Sequence, residues 1–175
     1  MSKLPIHIIP DAVLRQVAKP VAAVDKRIAK LMEDMLDSMY PADGIGLAAN
    51  QVGMLDRVIV CDRGEMTRAT ALRMANPELL WTSEETYTHK EGCLSIPDQF
   101  AEVIRPKRIR VKYLDEKNKE QVVEAEDLLA ICIQHEIDHL NGILFFDHLS
   151  KLKRDMMIRK VEKAKKLLGD KGFYD

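Results

Sequence analysis

Aromatic residues are scarce in this chain. Four Phe, four Tyr and one Trp make up 5% of its 175 residues, whereas 46% of the chain is hydrophobic, so an aliphatic core is expected. There is no long apolar run. Every hydrophobic stretch falls far below the ~20 residues that span a bilayer, and nothing points to a membrane as partner. The start, Met1-Ser2-Lys3-Leu4-Pro5, has no apolar region of the signal-peptide kind. Charge of one sign is also missing: the formal net charge is -1 with 31% charged residues, which argues against disorder and gives no reason to expect DNA. The three cysteines, Cys61, Cys93 and Cys132, are an odd count without a C-x-x-C pair. That argues against a disulfide framework and for a reducing, cytoplasmic compartment, in which a reactive or metal-binding thiol fits best. No repeat, low-complexity tract or long linker divides the chain, so residues 1–175 are expected to form a single domain.

What is present is concentrated in residues 134–145, which contain His135-Glu136-Ile137-Asp138-His139, an H-E-x-x-H pattern. On a helix, four residues turn through about 400°, so His135 and His139 project within about 40° of each other and reach one ion. Glu136 is rotated away and is better placed to handle a water proton than to ligate. Extended zinc-protease versions of the pattern end in a third histidine. Here Phe145 occupies that position, so a third ligand has to come from elsewhere.

The surrounding elements are legible from caps and periodicity. Asp11 caps a short helix over about 12–18, stopped by Pro20. Asp25 caps a longer one whose Ile28, Leu31, Met32, Met35, Leu36 and Met39 follow helical spacing; it ends at Pro41 and Gly44, and its methionines are read as core. Residues 57–61 read as a buried strand, and 79–81 and 84–90 as strands of an antiparallel sheet. Residues 108–114 and 121–124 form a hairpin across the polar turn 115–119. Glu126 and Asp127 open the helix that carries the histidines; its approach is nearly all apolar, which places it in the centre of the domain. A last helix covers about 149–168. The fold class is α+β: antiparallel or mixed sheets around a central metal-binding helix, with N-terminal helices and a C-terminal helix.

Candidates for the missing ligand are few. His7 lies in an apolar run, His148 follows the motif too closely to fold back easily, and Glu162 sits among lysines. His89 is the remaining histidine. Cys93, in Glu91-Gly92-Cys93-Leu94-Ser95 between a strand and a loop that ends at Pro97, is the strongest, because a thiolate suits zinc or ferrous iron and the glycine beside it permits close backbone approach. Cys61 reads as an inert core residue, and Cys132, one turn before His135, as a neighbour that does not ligate.

Three segments together, Gly44-Ile45-Gly46-Leu47-Ala48-Ala49-Asn50-Gln51, Glu91-Gly92-Cys93-Leu94-Ser95 and Gln134-His135-Glu136-Ile137-Asp138-His139, resemble the bacterial peptide deformylases in order and spacing, over essentially the whole chain. The resemblance implies removal of the formyl group from the formyl-methionine of nascent peptides, releasing formate, by a metal-activated water. It implies Cys93, His135 and His139 as metal ligands and Glu136 as general base and acid, with Gln51 and the Leu94 N–H as donors to the substrate carbonyl. It also implies one divalent ion per chain, ferrous iron physiologically, with Zn²⁺, Co²⁺ or Ni²⁺ also compatible with the donors. Substrate contacts would come from Gly44, Ile45, Gly46, Glu91, Gly92, Leu128, Ile131 and Cys132, the glycines letting the peptide lie close like an added strand. The resemblance further implies that Arg105 braces the Cys93 loop through Glu91, and that the chain is a monomer.

Two residues depart from the family pattern: Phe100 stands where many relatives carry arginine near the site mouth, and His89 where an apolar residue is common. Both bear on substrate preference beyond the first residue. Residues 149–168 carry eight basic side chains against two acidic ones, a net +6, which leaves -7 for the remainder. In bacterial relatives the terminal helix docks on the ribosome, and a basic helix suits RNA phosphates. The competing readings are a zinc aminopeptidase or endopeptidase with a carboxylate ligand, and a ribosome-associated binding protein with a structural metal.

Overall fold

The computed structural model describes residues 3–175; Met1 and Ser2, part of the N-terminal stretch considered above, lie outside it. The architecture is α+β. Its strands are β1 (Gly46–Ala48), β2 (Val58–Cys61), β3 (Leu72–Thr82), β4 (Thr86–Cys93), β5 (Ile96–Pro106), β6 (Arg108–Leu114) and β7 (Glu120–Glu126). Its helices are α1 (Lys26–Met39), α2 (Asp127–Leu140) and α3 (Lys151–Leu168). The strands form a five-stranded sheet in the order β1-β2-β3-β6-β7 and a two-stranded sheet β4-β5, all antiparallel.

Strand β2 explains how the layers stack. All four residues of Val58–Cys61 are buried, because alternate side chains point to opposite faces of the sheet and both faces are covered. Val58 and Val60 join the α1 layer with Met32, Met35 and Met39. Ile59 and Cys61 join the α2 layer with Ile133, Ile137 and Leu140. The methionine stripe is core, with Met32, Met35 and Met39 all at 0% exposure. Helix α1 starts where the Asp25 carboxylate accepts from the Ile28 N–H at 2.9 Å, and a 3-10 turn at Tyr40–Ala42 ends it.

The second feature that positions the site is a long hairpin. β3 and β4 run out, β5 and β6 run back, and pairing continues between the two sheets through Ser83 N–H to Arg108 O (2.9 Å) and Lys107 N–H to Glu85 O (2.9 Å). The tip is Cys93-Leu94-Ser95-Ile96, with Cys93 paired to Ile96. A register shift between Gly92 and Cys93 loops out residues 97–99 of the return strand, where Asp98 takes the left-handed backbone conformation (φ 60°). A third core cluster, with Ile9, Leu14, Ile96, Val103, Phe145, Phe146 and Val161, packs this hairpin against α3.

Three expectations are corrected. The first helix is only a 3-10 turn over Ala12–Arg15: the Ala18 and Lys19 N–H groups are taken by Leu140 O and Leu55 O, so the backbone there serves tertiary pairing. Residues 79–81 and 86–90 do fall in strands, with 84–85 forming a bend before the second, but in different sheets, each paired to the returning arm of the hairpin. Of the proline-terminated loop expected after Cys93, only Leu94 and Ser95 form a turn, and Ile96 and Pro97 already belong to the eleven-residue strand β5.

Candidate active site

Helix α2 brings the histidines to the centre. Its residues from Ala130 to Ile137 are buried, so His135 and His139 are held at 7% and 0% exposure, and Glu136 at 4%. The hairpin tip meets it from the other side. Cys93 Sγ lies 3.3 Å from His139 Nε2, and single donor atoms of Cys93, His135 and His139 all fall within 4.8 Å of one another. A tetrahedral ion with sulfur at about 2.3 Å and nitrogen at about 2.0 Å separates those two atoms by roughly 3.5 Å. The donor set therefore fits a divalent cation, with no fourth protein ligand among the described residues.

The surrounding contacts orient these groups. His135 Nδ1 bonds Glu91 Oε1 at 2.8 Å, which leaves Nε2 for the cluster. Glu91 is gripped by Arg105 through two bonds of 2.6 and 3.1 Å, and Arg105 also reaches Asp138 at 2.9 Å. Burial pushes the Glu91 carboxyl upward, but the bonds from His135 and Arg105 outweigh it and hold it at about 2. The network ties the hairpin (Glu91, Arg105) to α2 (His135, Asp138), and His148, no ligand, ends it with a 3.0 Å contact to Asp138.

Burial raises the Glu136 carboxyl to about 7, with Glu91 and Asp138 adding repulsion and His135 and Arg105 opposing it. Among the described residues, its Oε1 is buried without a hydrogen-bond partner, as is His139 Nδ1. Burial and the neighbouring His135 drive His139 well below the usual imidazole range. His135 goes the other way: burial lowers it, but the Glu136 charge and the bonds to Cys93 and Glu91 raise it well above. Gln51, 1% exposed, has its carbonyl fixed by the Ala48 N–H (2.9 Å), so its amide NH₂ faces Ser95 Oγ (3.0 Å) and Cys93 Sγ (3.5 Å).

These groups open into a cleft of about 780 Å³. Gln51, Glu91, Gly92, Cys93, Leu94, His135 and Glu136 line it, as do Gly44, Ile45, Gly46, Leu128, Ile131 and Cys132; His139 is fully buried. The two glycines of the edge segment have a use beyond the expected one. A Cβ at Gly46 would sit 2.5 Å from Glu136 Oε2, and one at Gly44 would sit 2.6 Å from Leu94 Cδ1, so protein side chains fill that space. Phe100, 58% exposed, covers Gly92 on the paired strand, and His89 stacks on Tyr87 at the rim. Cys61 is fully buried beside Cys132, and Glu162 is exposed on α3; neither joins the cluster. Sequence reasoning missed Ser95, Asp138 and the tail residues Phe173 and Tyr174, which also reach the cleft. Ser95 and Asp138 stand inside two of the motifs, but only their contacts with Gln51 and Arg105 reveal their use, and the tail residues carry no local signal.

A thiol and two imidazoles that could hold one metal ion, with a buried carboxylate beside them in an open cleft, are a donor set of the kind metal-dependent hydrolases use. The profile of the polypeptide deformylase family matches residues 3–155. A peptide deformylase of Rhizobium meliloti is 54% identical over 174 residues, covering 99% of this chain and 100% of its own. The Legionella pneumophila peptide deformylase structure is 42% identical, with a TM-score of 0.92 over 98% of this chain and 100% of that one. The Ehrlichia chaffeensis enzyme in complex with actinonin is also 42% identical, with a TM-score of 0.90 over 94% and 99% of the two chains. The chain belongs to the polypeptide deformylase family.

Proposed function

We propose that this chain, as one catalytic domain, removes the formyl group from formyl-methionine at the start of nascent peptides in the cytoplasm. The observation that carries the reading is the Cys93, His135 and His139 cluster with the uncommitted carboxylate of Glu136 beside it at the cleft. Cys93, His135 and His139 hold one divalent ion, expected to be ferrous iron, though the donors suit Zn²⁺, Co²⁺ and Ni²⁺ as well. When bound, that ion polarises the formyl carbonyl and makes water a usable nucleophile near neutral pH.

The chain's own residues do the rest. Glu136 takes the proton of the attacking water and delivers it to the departing amine, so formate and a free N-terminal amine result. The Gln51 amide and the Leu94 N–H donate to the carbonyl oxygen as it gains charge; the fixed Gln51 carbonyl supports this, because a preorganised donor needs no reorganisation during reaction. Glu91 keeps His135 in the tautomer that presents Nε2. The methionine side chain enters the apolar part of the cleft at Ile45, Leu128, Ile131 and Cys132. The peptide backbone pairs along Gly44, Ile45 and Gly46, which support this by leading into β1, an edge strand of the sheet. Glu91 and Gly92 bound the opposite side.

Formate release from formyl-Met-Ala-Ser after anaerobic metal loading tests the reading, with the unformylated peptide alongside. Release from the first and no cleavage of the second is expected. Cleavage of the unformylated peptide would instead establish the aminopeptidase alternative, and no formate at all would overturn the proposal.

Helix α3 supports docking on the ribosome, the source of formylated chains. Its side chains Lys151, Lys153, Arg159, Lys160, Lys163, Lys165 and Lys166 are exposed, and only Val161 is fully buried. Reversing Arg159, Lys160 and Lys163 to Glu should abolish co-sedimentation with ribosomes while formate release from the free peptide persists. Unchanged co-sedimentation would exclude α3 as the docking element.

A further inference from the structure

The tip of the hairpin is anchored from several directions. Ser95 O accepts from the Ile9 N–H at 3.0 Å, and Ser95 Oγ accepts from Gln51 at 3.0 Å. The remaining anchor comes from the far end of the chain. The Tyr174 hydroxyl donates to the Leu94 carbonyl at 2.7 Å, across 80 residues of sequence. This is a built contact. Phe173 packs into the third core cluster with Ile9, Ile96 and Phe145, and the Tyr174 carbonyl accepts from Lys3 Nζ at 2.7 Å. The tyrosine ring is therefore held on both sides in sequence while its hydroxyl faces the cleft, close to Cys93 and Asp98. The tail lies beyond residue 155, where the family match ends, so the match does not account for this contact.

We infer that Tyr174 is a positioning residue for the reaction: its hydroxyl fixes the Leu94–Ser95 peptide and thereby aims the Leu94 N–H at the substrate carbonyl. The inference rests on the role proposed above for that N–H. Leu94 has one rotatable backbone bond on either side of its Cα, so holding its carbonyl limits the swing of the peptide carrying its N–H. Because an oxyanion donor acts only where charge develops, its misalignment weakens transition-state stabilisation more than substrate binding. The hydrogen bond of the Tyr174 hydroxyl goes to the Leu94 carbonyl and not to a side chain of the metal-ligand cluster. Its effect is exerted through Leu94.

The test uses Tyr174→Phe, which keeps the ring and removes only the hydroxyl. kcat for formyl-Met-Ala-Ser should fall about tenfold, the scale of one lost hydrogen bond together with some misalignment, with KM, metal content and melting temperature close to wild type. Amide hydrogen exchange of residues 93–95, measured on the metal-free chain, should speed up about fivefold. Tyr174→Ala serves as the packing control and should add a stability loss that Tyr174→Phe does not show. Wild-type kcat and wild-type exchange in Tyr174→Phe would overturn the inference, as would a loss seen only in KM. If the wild-type chain released no formate, the function proposed above would fall, and the exchange measurement would still decide whether Tyr174 holds the tip.

Discussion

Glu136→Gln should lower kcat for formate release by about 10²–10⁴-fold, the range that positioned proton transfer contributes, while the metal stays bound. The substitution keeps shape and burial but removes a buried carboxylate that lines the cleft beside the ligand cluster and has no hydrogen-bond partner on Oε1 among the described residues. Glu91, the other buried carboxylate there, is committed to His135 and Arg105. Its acidity near 2 makes it a poor proton acceptor, whereas burial lifts Glu136 to about 7. A cation nearby pulls the Glu136 value down again, because opposite charge favours the ionised form. A base works only when deprotonated, so kcat/KM of the wild type should fall as pH drops through a value below about 7, and this acid limb should vanish in Glu136→Gln. Steady-state rates across pH, with metal content measured on the same samples, decide the matter. A variant with wild-type kcat would remove Glu136 from the mechanism.

Cys93→Ala should cost the metal itself. Two imidazoles one helical turn apart are an incomplete site for a tetrahedral ion, and among the described residues the Cys93 sulfur is the third donor that reaches them. Metal content after anaerobic loading and dialysis should drop to near background and formate release with it. Cys61→Ala, at a position enclosed between the sheet and α2, should keep both and lose about 1 kcal/mol of stability from the cavity it leaves. Full metal retention in Cys93→Ala would place the third ligand elsewhere.

Much of this site is legible in the sequence because its parts are local. The H-E-x-x-H spacing, the apolar approach to it, the cap at Asp25 and the hairpin β6–β7 all follow from periodicity within a dozen residues. Strand β5 does not, and the reason lies in its polarity. Phe100 and Ile104 are exposed at 58% and 67%, while Arg105 is buried at 5%, so the pattern of polar and apolar residues runs against the pattern of burial. Arg105 is inside because Glu91 and Asp138 meet it there, and Phe100 is outside because it covers the bare backbone of Gly92. Those are relations between distant residues that no window contains. The short first helix failed for the same kind of reason, since its backbone donors are claimed by Leu140 and Leu55. Tyr174 was invisible because a terminal tyrosine carries no signal until its hydroxyl has a place to go.

The hairpin tip has a thermodynamic consequence. Cys93 and His139 are 46 residues apart, and they meet only after the ribbon has bent over the central helix. In the unfolded chain the two histidines still lie near each other, but the thiol is adrift. An ion that takes all three donors therefore discriminates between the folded and unfolded chain by roughly the affinity the thiol adds, and ties off a loop that the chain must otherwise close by itself. Each tenfold of that discrimination is worth about 1.4 kcal/mol once the ion is in excess. Removing the ion should therefore lower the melting temperature of the folded chain as well as its activity.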